Sequence, residues 1–195
     1  MREDRTEGRI ANHRVAGSVF RADHPDHTDL AETVEASRSE PGRFNTSRFG
    51  AIYVSREPDT ALDELRKNNG QLEHPCALFV VKLSANRVVD LSNPRERERW
   101  QLTKDDLTSD DLSRCREVAE AAVHHGAEVI VWPSATGSGL SLAVFAERLG
   151  PESHVEVVRT FELGKTVLTS VAAGLSVVSI HPMLTTFNLF GPGLS

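Results

Sequence analysis

Apolar stretches alternate with polar turns along residues 14–163, and most of these stretches have the composition of β-strands. Six of them are rich in β-branched and aromatic residues and are bounded by turn residues, a pattern that predicts strands. They are residues 14–21, 51–55, 77–83, 86–92, 127–132 and 154–163. ALFVVKL (77–83) and AEVIVW (127–132) are strongly apolar, and we predict that both strands are buried.

Four helices are predicted between these strands. Ser55 is the candidate N-cap of the first helix, Pro58 lies in its first turn, and Asn68-Asn69-Gly70 ends it. The other three are a solvated, mixed-charge helix at 94–100, a helix at 115–125 capped by Ser113, and an amphipathic helix at 140–149 closed by Gly150-Pro151.

The first helix carries two adjacent acids that differ in their predicted surroundings. Ala61, Leu62 and Leu65 form its apolar stripe. At about 100° per residue, Asp63 points away from that stripe and Glu64 lies at its border. We therefore expect Asp63 to be solvated and Glu64 to be half-buried, where a cleft can use its carboxylate.

The order of elements indicates the fold class. Strands and helices interleave, but several strands follow one another without a helix long enough for a parallel crossover. We therefore predict an α+β fold: a compact single domain with mixed or antiparallel sheets and flanking helices. The sequence contains neither GxGxxG nor GxxxxGK[ST], which excludes the usual dinucleotide and P-loop sites.

Composition narrows the class of protein. The chain has 195 residues, enough for one domain with a sizeable core, and its net charge of −6 argues against a nucleic-acid binder. Cys76 and Cys115 form no CxxC pair and fit a reducing compartment. The polar N-terminus lacks the apolar region of a signal peptide, and no apolar run is long enough to cross a membrane. We therefore expect a cytoplasmic protein that binds neither membrane nor nucleic acid.

Four histidines are weighed as candidates for chemistry. His24 and His27 have aspartate neighbours, but two histidines three positions apart in a proline-containing loop are more often solvated than metal-bound. His124 and His125 fall in the last turn of a predicted helix, where a positive charge is favourable. We predict no metal site and no catalytic histidine.

The last 31 residues differ sharply in composition from the rest of the chain. Residues 165–195 contain one lysine, no arginine and no acid. An apolar segment of this length must pack on the core or in an interface, for which we predict a homodimer, unless it lies outside the natural domain. The predicted organisation is a polar tail at 1–13, a catalytic domain at 14–163 and an apolar extension at 164–195.

One stretch, GRFNTSRFGAIYVSREPDTALDEL (42–65), contains side chains that suit an anionic ligand with a ring. Arg43 lies in a glycine-led turn and offers a bidentate fork for phosphate. Tyr53 offers a flat ring and a hydroxyl. Glu64 offers a carboxylate that can stabilise positive charge or hold a water.

A second candidate segment is the loop WPSATGSG (132–139). It precedes a predicted helix, whose N-terminal N–H groups would suit an anion. Ser134, Ser138 and Ser141 add hydroxyls, and the sequence does not decide which of them faces a ligand. Taken singly, each of these residues is more often ordinary surface or turn than part of a site.

Taken together, these segments resemble the RES domain, a family named for its arginine, glutamate and serine. The resemblance rests on GRFN (42–45), AIYVS (51–55), ALDEL (61–65) and WPSATGSGLSLAVF (132–145), and it covers roughly residues 19–163. The motifs of the family fall on Arg43, Tyr53, Glu64 and Ser134. An early arginine of the family falls less securely on Arg21 in VFRADHP.

The sequence departs from the family pattern at two positions. Phe44 stands where the family usually has tryptophan, and Ser141 stands where many relatives carry asparagine. The second change alters the local hydrogen-bond network.

The resemblance implies a fold similar to that of ADP-ribosyltransferases and a toxin of a toxin–antitoxin pair. NAD would be its substrate, with no separate cofactor, and the nicotinamide–ribose bond would be cleaved with water or phosphate as the acceptor. By the same resemblance the catalytic residues are Glu64, Arg43 and Ser134. Glu64 stabilises the ribosyl cation, Arg43 binds a phosphate of NAD, and Ser134 hydrogen-bonds the nicotinamide or ribose end. Tyr53 stacks near the nicotinamide, and Arg21 also binds NAD. An antitoxin is expected to cover the active site.

Two alternatives stay open from the sequence. The first is a protein ADP-ribosyltransferase, although many such enzymes carry a second carboxylate two residues before the main one, and Leu62 occupies that position here. The second is a non-enzymatic module that binds a nucleotide or a protein partner through the cleft and the tail.

Overall fold

The computed structural model describes residue 10 and residues 13–69, 75–136 and 139–164. The tail at 165–195 and the dimer interface predicted from it lie outside the described residues. Within those residues no helix is both long and apolar enough to cross a membrane.

A single seven-stranded sheet organises the described residues, in the order β4-β5-β6-β2-β1-β3-β7. Its strands are β1 (Val15–Asp23), β2 (Ile52–Ser55), β3 (Cys76–Ala85), β4 (Val88–Asp90), β5 (Val129–Pro133), β6 (Leu140–Val144) and β7 (His154–Leu163). The helices are α1 (Leu30–Ser39), α2 (Pro58–Asn69), α3 (Pro94–Arg99) and α4 (Ser113–His124), and a 3-10 turn spans Ala146–Arg148. β4 and β5 are parallel and the other neighbours are antiparallel, which confirms the predicted α+β class.

The strands enclose most of the hydrophobic core. One apolar cluster joins side chains of β1 and β3 to side chains of β2, β5 and β6 and so extends across most of the sheet. A second cluster packs α4 and the fully buried Trp100 against the outer face of β5 and β6. A third packs Ala61 and Leu62 of α2 against β1 and β3. The six predicted strands are all present.

The predicted helix at 140–149 is wrong, because Leu140–Val144 form strand β6 instead. β6 pairs with β5 along its whole length, from Pro133↔Leu140 to Val129↔Val144, and with β2 on its other side. Leu142 and Val144 belong to the first cluster while Ala143 belongs to the second, which is the two-residue period of a strand. The helix-forming residues of this segment are overruled by pairing with two neighbours.

The two predicted N-caps are also wrong. Ser55 is the last residue of β2, and α2 begins three residues later at Pro58. Ser113 is the first residue of α4, and Leu112 precedes it without a side-chain cap.

The solvated helix predicted at 94–100 is correct as a helix but not as a solvated one. Glu96 is buried and its Oε1 accepts a hydrogen bond of 3.1 Å from the indole nitrogen of Trp100. A buried carboxylate therefore ties this charged segment to the core.

A buried carboxylate at the base of β5 joins three loops. Glu128 is 2% exposed and accepts hydrogen bonds from the backbone nitrogens of Asn86 (2.7 Å) and Gly150 (3.0 Å) and from Ser153 Oγ (2.8 Å). Glu128 also forms an ion pair with Arg87, with 3.1 Å between Glu128 Oε1 and Arg87 Nη2. Burial raises the pKa of Glu128, but the hydrogen bonds together lower it by more than burial raises it. The net result is a pKa below the usual carboxyl value.

We expect Glu128→Gln to lower the free energy of unfolding at pH 7 by about 1.5–3 kcal/mol, the range typical of hydrogen bonds to a charged group. Because the folded-state pKa is depressed, this contribution is full above the unfolded-state pKa and is lost as the pH falls through the folded-state value. Urea unfolding of both proteins at pH 7 and at decreasing acid pH measures it. Glu117→Gln, whose side chain is 63% exposed, is the matched control. An equal gap between wild type and Glu128→Gln at all pH values would contradict the prediction.

Candidate active site

A cavity of about 550 Å³ lies where β1 and β2 diverge. Their register contains a single pair, Phe20 with Ser55, and beyond it the two strands separate. β1 contributes Arg21 and Asp23 to the lining, and α1 and α2 close the sides. The sheet therefore opens a cleft between two strands that are neighbours in its order.

Glu64 projects into this cavity from α2. The buried residues Ala61 and Leu62 fix the helix against β1 and β3, which turns Glu64 to the cavity wall at the half-buried position expected from the sequence. Asp63 is directed elsewhere and pairs with Arg66 at 2.8 Å. Of the two adjacent acids, Glu64 alone lines the cavity.

Two serines from the β5–β6 hairpin hold the Glu64 carboxylate. Ser134 Oγ donates to Glu64 Oε1 at 2.5 Å, and Ser141 Oγ donates to the same oxygen at 3.1 Å. Both serines are buried, at 7% and 3% exposure. Of the three candidate serines, both Ser134 and Ser141 therefore contact Glu64. Ser138 lies outside the described residues.

The loop that carries Ser134 is a hairpin turn rather than the start of a helix. Ser134 N donates to Gly139 O at 2.8 Å, and Thr136 N donates to Ser134 Oγ at 3.1 Å. Since β6 follows this loop, the anion site expected at a helix N-terminus does not form there. The loop serves the site through the Ser134 hydroxyl.

Tyr53 lines the cavity, but its hydroxyl is already engaged. The hydroxyl donates to Asn45 Oδ1 at 2.8 Å and accepts from Phe44 N at 2.9 Å. Burial raises the pKa of the Tyr53 phenol, so it stays protonated and can donate. The ring forms a T-shaped pair with that of Trp132, at a centroid distance of 6.1 Å. What Tyr53 offers a ligand is therefore its ring rather than its hydroxyl.

The GRFN turn is built around this tyrosine. Asn45 is fully buried; its Oδ1 also accepts from Gly42 N at 2.8 Å, and its amide donates to Ser37 O at 2.6 Å. A Cβ on Gly42 would lie 2.6 Å from the Tyr53 hydroxyl oxygen, so only glycine allows this approach. Glycine and asparagine in the motif thus have a structural explanation.

Arg43 is turned toward a different part of the molecule. Its Nη1 donates to the carbonyl oxygens of Asp106 (3.2 Å) and Ser109 (2.9 Å), and the residue is not among those lining the cavity. In this arrangement it fastens the loop between α3 and α4, and its role as a phosphate ligand stays a prediction.

We expect Arg43→Ala to lower the free energy of unfolding by about 1–3 kcal/mol, because two part-buried carbonyls lose a charged donor. Arg48→Ala is the matched control, since Arg48 is 80% exposed and its one ion pair among the described residues, with Glu120, is long at 3.6 Å. Urea unfolding of both variants measures the difference. Equal stability of the two variants would show that the contacts of Arg43 contribute nothing.

Arg21 supplies the positive charge of the cavity. It is 8% exposed, its Nη1 donates to His27 O at 2.8 Å, and its Nη2 forms an ion pair with Asp23. Burial lowers the pKa of Arg21, and the charge of Asp23 opposes that shift. Since an arginine keeps its charge at neutral pH even so, Arg21 is an anion-binding candidate that the structure places in the cavity.

The wall formed by α1 was not foreseen. Asp29 caps this helix by accepting from the backbone nitrogens of Ala31 (2.7 Å) and Glu32 (3.4 Å). An aspartate followed three residues later by a glutamate is a recognisable helix start, and it would have revealed α1. Asp23 and His27 were also missed as lining residues; their side chains lie 2.9 Å apart. Among the described residues, no group of three or more metal-binding side chains is assembled.

Comparison with known proteins finds similarity to RES-domain proteins both in sequence and in structure. The model of the RES domain matches residues 18–191 and so runs on into the segment after Leu163. Proteins named NAD(+) phosphorylase MbcT, from Mycobacterium tuberculosis and Mycobacterium bovis, are 29% identical over 126 residues, which is 60% of this chain and 68% of theirs.

A solved structure shares the fold. The crystal structure of the M. tuberculosis MbcT–MbcA toxin–antitoxin complex aligns with a TM-score of 0.70 at 22% identity, covering 88% of this chain and 98% of that one. The family match extends over most of the sequence and includes every motif on which the resemblance rests. The chain belongs to the RES domain family.

Proposed function

We propose that this protein degrades NAD by cleaving the bond between nicotinamide and ribose, with inorganic phosphate as the acceptor. The observation that carries the proposal is the Glu64 carboxylate, held by Ser134 and Ser141 in a cavity that Tyr53 also lines. The relatives named NAD(+) phosphorylase support both the substrate and the acceptor.

The chemistry suits a carboxylate without a catalytic acid. As the nicotinamide–ribose bond breaks, positive charge develops on the ribose, as it does in glycoside hydrolysis. A negative oxygen placed beside that charge stabilises the transition state. Nicotinamide leaves as a neutral molecule, so no proton has to be supplied to it. Glu64 is the group assigned this role.

The positions of Arg21 and Glu64 in the lining suggest how NAD would lie. Arg21 would bind the pyrophosphate, and the nicotinamide and its ribose would lie at Glu64. The rings of Tyr53 and Trp132 also line the cavity and offer surfaces for the nicotinamide ring. Ser134 keeps the carboxylate in place from the hairpin side. No cofactor is needed, since NAD itself is the substrate.

In the second half of the reaction, an oxygen of phosphate forms a bond to the ribose carbon that nicotinamide has left. The products are nicotinamide and ADP-ribose carrying a phosphate on that carbon. With water in place of phosphate the product would be free ADP-ribose. The two acceptors therefore leave different products from the same bond cleavage.

We propose further that the chain is the toxin of a toxin–antitoxin pair. The neighbour of known structure is a complex of this kind, and an antitoxin protein that covers the cleft would keep NAD out. Transfer of ADP-ribose to proteins is less well supported. The position two residues before Glu64 is the fully buried Leu62, so no second carboxylate stands there.

The experiment is to incubate the purified chain with NAD in phosphate buffer and in a phosphate-free buffer, and to follow the products by phosphorus NMR. We expect nicotinamide release that is faster with phosphate, together with a new sugar-phosphate signal. Equal release in both buffers, with ADP-ribose as the product, would make the enzyme a glycohydrolase. Label from radioactive NAD appearing on protein would favour the transferase.

A further inference from the structure

We propose that Ser141 is a positioning residue: together with Ser134 it orients the Glu64 carboxylate so that Oε2, not Oε1, faces the ribose. The inference rests on the proposed function, because it assigns an orientation to the carboxylate of that same site.

Two hydroxyl donors converge on one oxygen of the carboxylate. Ser134 Oγ donates to Glu64 Oε1 at 2.5 Å from the turn of the hairpin, and Ser141 Oγ donates to the same oxygen at 3.1 Å from strand β6. The described part of the chain gives Oε2 no hydrogen-bond partner. An ionised carboxylate can accept at both oxygens, so this one-sided arrangement leaves Oε2 as the oxygen with capacity to meet a ligand.

The backbone beside Ser141 is tied to the start of the helix that carries Glu64. Leu140 N donates to Glu57 Oε2 at 3.2 Å, and Leu140 O accepts from Arg56 N at 2.8 Å. A Cβ on Gly139 would lie 2.0 Å from Thr60 Oγ1, which shows how closely the hairpin approaches α2. The separation between Ser141 and Glu64 is therefore set by contacts between the backbone of the hairpin and the residues at the start of α2.

Both serines are needed to fix the plane of the Glu64 carboxylate. The torsion that rotates a glutamate carboxylate is soft, and one hydrogen bond leaves its plane free to swing about that contact. A second donor from another direction fixes the plane. Without Ser141, Glu64 would remain beside the substrate, but Oε2 would spend less time directed at the ribose. Catalysis would then weaken more than binding does.

The test compares Ser141→Ala and Ser141→Thr in the full chain, with nicotinamide release measured over a range of NAD concentrations. Losing one hydrogen bond to a charged group corresponds to about a tenfold fall in kcat for Ser141→Ala. We expect KM to change less than about twofold, since the contacts that bind NAD equally well in the ground state and the transition state are unchanged. Ser141→Thr keeps the hydroxyl and should restore most of kcat.

Ser84→Ala is the matched control, because Ser84 is a buried strand serine, 5% exposed, that does not line the cavity. It should leave kcat at the wild-type value, and thermal unfolding should show that all variants are folded. An unchanged kcat in Ser141→Ala, or a rise in KM alone, would overturn the positioning role while wild-type activity still upheld the proposed function. Absence of nicotinamide release by the wild type would overturn both.

Discussion

Glu64→Gln is expected to lower the rate of nicotinamide release at saturating NAD by about a thousandfold, a size typical of losing a main electrostatic stabiliser of a transition state. Glutamine keeps the shape of the side chain and a carbonyl oxygen able to accept from Ser134 and Ser141. It removes the negative charge that opposes the ribosyl cation. Steady-state kinetics with chromatographic detection of nicotinamide measures the loss.

Asp63→Asn is the control for this change, because it removes the same charge from the adjacent residue. Asp63 pairs with Arg66 and does not line the cavity, so kcat should stay within about twofold of wild type. The account of Glu64 fails if Glu64→Gln keeps a tenth or more of the wild-type rate while folded.

Phe44→Ala is expected to lower the free energy of unfolding by about 3–5 kcal/mol, which is the usual cost of emptying a buried aromatic site. The side chain has no exposed surface and its ring lies 4.7 Å from that of Trp132. Its backbone nitrogen donates to the Tyr53 hydroxyl, so the cavity wall should loosen with the core. Urea unfolding measures the change.

Val158→Ala serves as the control, since Val158 lies on β7 with 51% of its surface exposed. Its cost should be within about 0.5 kcal/mol. A Phe44→Ala protein that loses less than about 1 kcal/mol would show that the turn does not depend on this ring for its packing.

The sequence pattern was sufficient for six strands but failed for β6. Leu140–Val144 contain leucine and alanine, which favour helices, and the stretch is too short for its alternation to stand out. What decides its structure is pairing with β5 and β2, and both pairings depend on residues distant in the chain. Local propensity carries no information about such neighbours.

The site was partly predictable for a similar reason. Helical periodicity placed Glu64 at the cavity, and the motif pointed to Tyr53 and Ser134. The motif did not predict the orientation of the Arg43 side chain, whose guanidinium donates to carbonyls 63 and 66 residues further along the chain. The orientation of a long side chain depends on such distant partners, and only the folded chain shows them.

Nicotinamide release from NAD by the purified wild-type chain tests the central claim most directly. We expect catalytic turnover, many nicotinamides per protein molecule, and a rate about a thousandfold lower in a parallel preparation of Glu64→Gln. A folded wild-type protein that releases no nicotinamide, with or without phosphate, would contradict it.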